Sequence, residues 1–213
     1  MRTPGLDVPR GSGRSVIPMN DTTNPVNNTS ENADAAPLAG RKVAFIASRG
    51  VEQPELTRPW EAVLAAGGTP HLLSPEAGTI QAMKGDWEHA DVFDVDSTVS
   101  DADASAYAGV VLPGGTLNAD AVRGDEEVHA FVRAVHDAGR PVAAVCHAPW
   151  ILIDAGLVEG RTLTSFQSLR VDLQNAGATV KDEELVVDGN LITSRTPDDL
   201  DAFCAAIVEH MGA

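Results

Sequence analysis

Aromatic side chains are scarce in this chain: Phe, Trp and Tyr make up 4% of its 213 residues, against 43% for all hydrophobic types together. A core of that composition is filled mainly by Ala, Val and Leu, and the length suffices for one well-packed α/β domain. Basic residues are few as well, 15 Lys and Arg against 31 Asp and Glu, which leaves a formal net charge of −16. With no basic surface, neither nucleic acid nor an anionic membrane is an expected partner, because both need phosphate neutralisation. Only two cysteines occur, Cys146 and Cys204, far apart in the chain and without metal-ligand spacing. A disulfide framework is thereby excluded, and a reducing compartment is the natural one. No run of about 18 apolar residues offers a membrane span, and the N-terminus lacks the apolar core of a secretory signal. The expectation is a cytoplasmic protein with no metal or other cofactor. On that expectation the sequons at Asn20, Asn27 and Asn28 carry no weight.

Residues 1–40 are rich in Asn, Thr, Pro, Gly and Ser and show no apolar period. Such a segment buries too little surface to offset its ordering entropy, so it reads as a disordered tail preceding a domain at 41–213. Met19 is a candidate translation start within it. From Arg41 the texture changes. Lys42 to Ser48 is a nearly continuous apolar run, as expected of a strand buried on both faces of a parallel sheet. A helix from about Pro54 to Ala66 and a strand from Thr69 to Ser74 complete one βαβ unit.

Ala77 to Ser100 reads as short strands and turns around Gly78, Gly85 and Asp86, followed by a buried strand at Ala108–Leu112 and a loop at 116–123. Val128, Phe131, Val132 and Val135 recur at helical spacing before the stop at Gly139. Further on come a helix from Ala148 to Ala155, a short strand at Leu163–Ser165 and a helix from Val171 to Asn175. Two β runs joined through Asp188-Gly189 form a hairpin, and an amphipathic helix from Pro197 to Met211 closes the chain. Strands alternating with helices in this way predict a three-layer α/β/α sandwich with a mostly parallel central sheet.

The chemistry concentrates at Arg140-Pro141-Val142-Ala143-Ala144-Val145-Cys146-His147-Ala148-Pro149-Trp150, an apolar strand that stops at a Cys-His pair where a helix should begin. A strand-to-helix turn exposes a nucleophile, and nearby helix N–H groups favour thiolate over thiol. The small neighbours Ala144 and Ala148 leave room for close packing. The plainer alternative is a buried cysteine ending a core strand.

Six segments together resemble the ThiJ/PfpI superfamily, in particular its PfpI-type intracellular peptidases and related stress proteins. They are Gly50-Val51-Glu52-Gln53-Pro54-Glu55-Leu56, Leu112-Pro113-Gly114-Gly115, Ala144 to Pro149, Leu163-Thr164-Ser165, Asn175-Ala176-Gly177-Ala178 and Asp188 to Leu200. The resemblance spans residues 42–211 and implies the class I glutamine amidotransferase-like fold, a flavodoxin-like sandwich. It implies Cys146 as nucleophile, His147 as the adjoining base, and the N–H groups of Gly115 and His147 as an oxyanion hole. Glu52 and Glu55 match carboxylates that face the elbow, one of them a protonated acid bonded to the cysteine; the other reads as a solvated charge at a helix start. The acid that orients the base comes, in PfpI-type enzymes, from the loop after the Gly-Gly of a neighbouring subunit. Asp120 is the match here, a shorter acid than the Glu of the peptidase prototype. Ala148 for Gly and Trp150 for a polar residue are further departures. A homo-oligomer follows from the same resemblance, a dimer at least or a hexamer.

The function implied is a cysteine hydrolase of small carbonyl or peptide substrates, with peptidase, amidase or deglycase-glyoxalase chemistry and a stress-response role. The alternatives are a redox-sensing or chaperone-like stress protein whose Cys146 thiol is oxidised, and a glutamine amidotransferase, which needs a distal His that this sequence does not single out. A flavodoxin-like binding module would want phosphate-binding glycines after the first strand, and Ser48-Arg49-Gly50-Val51-Glu52 makes a poor cradle. His71, His89, His129, His136 and His210 read as surface or packing residues, and Cys204 as core.

Overall fold

The computed structural model describes Val16–Ile17 and residues 36–213. In chain order its strands are β1 (Val16–Ile17), β2 (Lys42–Ile46), β3 (Thr69–Ser74), β4 (Thr79–Lys84), β5 (Glu88–Asp94), β6 (Ser97–Thr98), β7 (Gly109–Leu112), β8 (Val142–Val145), β9 (Thr162–Leu163), β10 (Thr179–Val180), β11 (Leu185–Asp188) and β12 (Leu191–Ser194). The helices are α1 (Gln53–Ala65), α2 (Thr116–Arg123), α3 (Glu126–Asp137), α4 (Pro149–Asp154), α5 (Arg170–Asn175) and α6 (Leu200–Gly212). Seven strands form the central sheet in the order β11-β12-β8-β7-β2-β3-β6, all neighbours parallel except the β11–β12 hairpin.

Alternation along the central strands decides the layers. Val43 and Phe45 of β2, Val111 of β7 and Ala143 and Val145 of β8 join one core cluster with Trp60 of α1 and Phe203 and Ile207 of α6. Ala44, Ile46, Val110, Leu112, Val142 and Ala144 point the other way, into a second cluster with Val122 of α2, Phe131 and Val135 of α3 and Ile151 of α4. Each large side chain taken fully out of water contributes roughly 1.5–3 kcal/mol, so two full faces stabilise the sheet despite the shortage of rings. The result is the three-layer α/β/α sandwich, with helices on both faces of a mostly parallel sheet.

Four details differ from the expectation. The segment 116–123 is helix α2, not a loop, capped by Gly115 at φ 90°. Packed structure begins before Arg41: Leu38 is fully buried in the first cluster, and its N–H donates to the Ala66 carbonyl at 2.9 Å. Its apolar side chain simply had no periodic neighbours by which to be noticed. Within the expected tail, Val16–Ile17 pairs in parallel with Val92 and Phe93 of β5; the other residues up to 35, Met19 among them, lie outside the described residues. Cys204, expected in the core, is half-buried on α6, next to the Arg58–Asp201 ion pair.

Taking the five central parallel strands in sequence, β3-β2-β7-β8-β12 reads second, first, third, fourth, fifth. The strand order reverses between β2 and β7, and ligands of open α/β sheets bind in the crevice beyond the strand ends at such a point. The loops leaving β2, β7 and β8 there carry residues 47–52, 113–115 and 146–148.

Candidate active site

Cys146 directly follows β8, where the chain turns. Its φ of 61° is one of two positive values outside glycine among the described residues, a conformation that costs an L-residue free energy and is found at functional turns. The turn is held from both sides: the Cys146 N–H donates to the Ser194 carbonyl at 3.1 Å, and its own carbonyl accepts from Phe166 N–H at 2.9 Å. Backbone N–H groups of Gly115 and His147 both reach the sulfur.

Close approach to the sulfur depends on the two glycines. A Cβ at Gly114 would stand 2.5 Å from Glu55 Oε2 and 2.8 Å from Cys146 Cβ; one at Gly115 would land on the Gly50 carbonyl and lie 2.7 Å from Glu52 N. Asn118, fully buried on α2, fixes this hinge. Its Nδ2 donates to the carbonyls of Pro113 (2.9 Å) and Gly114 (3.0 Å), and its Oδ1 accepts from Ser48 N–H (2.7 Å). One side chain thereby ties the loop after β2 to the loop after β7.

The two glutamates separate in role. Glu55 is completely buried against Cys146, with Oε2 accepting the Gly114 N–H at 2.8 Å and Oε1 left without a partner. Burial without a counter-charge pushes its carboxyl up to about 8, against the pull of the Gly114 N–H. Glu52 instead turns toward the β4–β5 hairpin, accepting from Gly85 N–H (3.1 Å) and Asp86 N–H (3.4 Å). It lines the same cleft but anchors a turn.

The thiol departs from expectation. Burial first, and then the adjacent Glu55 carboxylate, push Cys146 above the ordinary thiol range, against the pull of the Gly115 and His147 N–H groups. The turn that presents the sulfur also encloses it, so burial works against the thiolate that the nearby N–H groups favour. His147 is the nearest base, with Nδ1 3.2 Å from Sγ. Burial lowers the imidazole's own proton affinity, so it stands neutral and able to accept. Phe166 stacks on the ring at 4.7 Å and Trp150 meets it edge-on at 5.6 Å, which fixes its plane. Its far nitrogen, Nε2, lies 3.3 Å from the hydroxyls of Thr116 and Ser168.

Asp120 is not brought to this place within the chain. It is exposed on α2 and lines a different hollow, with Arg123, Glu126, His129 and Asp154. The carboxylate that does stand near His147 is Asp86, at the hairpin tip, whose Oδ2 accepts from Thr116 Oγ1 at 2.8 Å. Asp86, Thr116, Asn118, Phe166 and Ser168 were all missed from sequence. Only Asp86 gave a signal, as part of a Gly-Asp turn, and that signal spoke of backbone alone. Glu52, Glu55, Gly85, Asp86, Gly115, Thr116, Cys146, His147, Phe166 and Pro197 enclose a cleft of about 350 Å³, near the lower bound for small-molecule sites. Among the described residues no cluster of His, Cys, Asp and Glu could hold a metal ion, and no helix is long and apolar enough to cross a membrane.

Comparison with known proteins gives a consistent answer. A sequence model described as the DJ-1/PfpI family matches residues 41–210. "Putative cysteine protease YraA" of Bacillus subtilis is 39% identical over 163 residues, covering 76% of this chain and 94% of that protein. "Protein/nucleic acid deglycase 2" of Escherichia coli is 36% identical over 175 residues, covering 81% and 99%. "General stress protein 18" of B. subtilis is 38% identical over 165 residues, covering 77% and 94%. Among solved structures, a two-domain protein of Anabaena variabilis with DJ-1/ThiJ/PfpI-like and ferritin-like domains superposes with TM-score 0.74 at 36% identity over 81% of this chain, which spans 48% of that one. Drosophila melanogaster DJ-1beta superposes with TM-score 0.72 at 28% identity, covering 81% and 91%.

Proposed function

Since the chain belongs to the DJ-1/PfpI family, we propose that it is a cysteine-dependent hydrolase in which the Cys146 thiol attacks the carbonyl carbon of a small carbonyl adduct or a peptide bond. The observation that carries this reading is Cys146 Sγ at 3.2 Å from His147 Nδ1, on a backbone turn at φ 61°. As sulfur bonds to the carbonyl carbon, its proton passes to Nδ1 and the carbonyl π pair moves to oxygen. The N–H groups of Gly115 and His147, which reach the sulfur, are the donors assigned in this reading to that oxygen, each such donor supplying about 3 kcal/mol. From an aldehyde adduct the imidazolium returns its proton to the oxygen and gives a thiohemiacetal. From an amide it protonates the departing nitrogen and leaves a thioester, which water hydrolyses.

Cleft size supports the smaller substrates. About 350 Å³ admits a side-chain adduct or one residue of a peptide more readily than an extended polypeptide. The relatives' names carry both chemistries, cysteine protease for YraA and deglycase for the E. coli protein, and a stress role for this chain is part of the same proposal, by likeness to General stress protein 18. Oxidative sensing, the alternative, asks for an accessible thiolate. Cys146 is only 7% exposed.

The test is Cys146→Ala assayed on methylglyoxal, on methylglyoxal-modified amino acids and on fluorogenic peptide amides, with mass spectrometry of the wild-type chain for an adduct on Cys146. Loss of turnover by at least ~10²-fold in the variant is expected. Turnover that survives the substitution would remove Cys146 from the chemistry.

A further inference from the structure

We propose that Asp86, acting through the Thr116 hydroxyl, selects the tautomer of His147, so that the ring nitrogen facing Cys146 is the one without a proton. Donors and acceptors along one line fix the direction of each bond. Asp86 receives two bonds from a single residue: Oδ1 accepts the Thr116 backbone N–H at 2.9 Å and Oδ2 accepts the Thr116 hydroxyl at 2.8 Å. A hydroxyl has one proton. With that proton committed to a carboxylate, which accepts only, Thr116 Oγ1 has nothing but lone pairs to offer His147 Nε2, 3.3 Å away. The ring must therefore supply the proton of that bond. A neutral imidazole carries one N–H, so Nε2–H leaves Nδ1 bare, and Nδ1 is the nitrogen facing Sγ at 3.2 Å. Ser168 Oγ, also 3.3 Å from Nε2, can accept from that N–H or donate to a bare Nε2, so the selection rests on Thr116.

The line is anchored at its outer end. Asp86 sits in a left-handed backbone conformation, φ 65°, at the tip of the β4–β5 hairpin, a state that aspartate tolerates better than most residues. The Glu52 carboxylate receives the N–H groups of Gly85 and Asp86 and so fixes the tip against the start of α1. Asp86 touches neither the sulfur nor the ring; it is a positioning residue acting through Thr116. Its effect on catalysis rests on the reading of His147 as the base for Cys146, whereas the tautomer does not.

Asp86→Asn makes the inference testable without dismantling the turn. The Asn oxygen must still face the Thr116 N–H, so its amide N–H₂ points at the Thr116 hydroxyl and donates to it. That hydroxyl is then free to donate to Nε2, and the ring flips to the Nδ1–H form, whose proton faces the thiol. Thr116→Val removes the hydroxyl and keeps the backbone N–H bond to Asp86, and Thr116→Ser restores the hydroxyl. Long-range ¹H–¹⁵N correlation spectra of His147 near neutral pH should show Nε2–H in the wild type and in Thr116→Ser, Nδ1–H in Asp86→Asn, and a mixture in Thr116→Val. The rate of Cys146 alkylation, and kcat on whichever carbonyl substrate turns over, should fall about 10²-fold in Asp86→Asn and only a few-fold in Thr116→Val, in proportion to the Nδ1–H share, with KM little changed. A wild-type Nδ1–H ring, or an Nε2–H ring unmoved in both variants, overturns the proposal. If instead Cys146→Ala retains full turnover while the tautomers shift as stated, the hydrolase reading fails and this inference stands.

Discussion

At Cys146 two acids share one small enclosure. Neither Glu55 nor the thiol has a cation beside it, so ionising either raises the cost of ionising the other, and the protons leave in steps that belong to the pair. Oε1 of Glu55, buried and without a partner, is where a carboxylic proton would rest. Alkylation of Cys146 by iodoacetamide across pH should accordingly rise in two steps in the wild type. Glu55→Gln cannot carry the second charge, so a single step is expected, with a midpoint below the upper wild-type one. An unchanged two-step profile in that variant would show that another group is coupled to the thiol. Cys204, half-buried with its thiol pushed up to about 11 chiefly by burial, should react slowly throughout.

At the scale of elements, the site exists because three strand-to-helix loops meet at one end of the sheet. Gly114 is the tightest point of that meeting. Gly114→Ala places a methyl group against Glu55, Cys146 and the Val145 carbonyl, all held by backbone or by burial. A loss of roughly 1–3 kcal/mol is expected from overpacking, with Cys146 reactivity reduced. Gly124→Ala is the matched control: its Cβ would meet only the Ala121 carbonyl, at 3.8 Å, and the backbone there needs no positive φ. Chemical denaturation of both, with alkylation of Cys146, reads the difference. The same elements show where sequence reading stops. The apolar runs of β2, β7 and β8 were visible, since a strand covered on both faces carries its signal along its whole length. Helix α2 was not, because Gly115-Thr116-Leu117-Asn118-Ala119-Asp120 has no strong apolar period; Asn118 is buried for its hydrogen bonds, and Leu117 is exposed.

Across the whole molecule, the buried Glu55 makes folding depend on pH. Its carboxyl titrates at about 8 in the folded chain against a reference of 4.5, so between those values the folded state holds more protons than the unfolded one. Stability therefore falls as pH rises through that window, by an amount on the order of 5 kcal/mol. Thermal unfolding of the wild type should drop between pH 5 and pH 8 by more than that of Glu55→Gln, which has no such proton to lose; parallel curves for the two would place the carboxyl near its ordinary range. The sequence by itself determined the layered α/β/α plan, the Cys-His elbow and the glycines beside it. These depend on local signals: the run or period of apolar residues, turn chemistry, and the small size needed at a sharp bend. Tertiary structure alone decided which carboxylate does what. Glu52, Glu55, Asp86 and Asp120 carry the same group, and only the fold buries one against the thiol, ties one to a hairpin, aims one at Thr116 and leaves one on an exposed helix face. Proton affinity and hydrogen-bond direction are set by what surrounds a group in space, and along the chain those surroundings are tens of residues away.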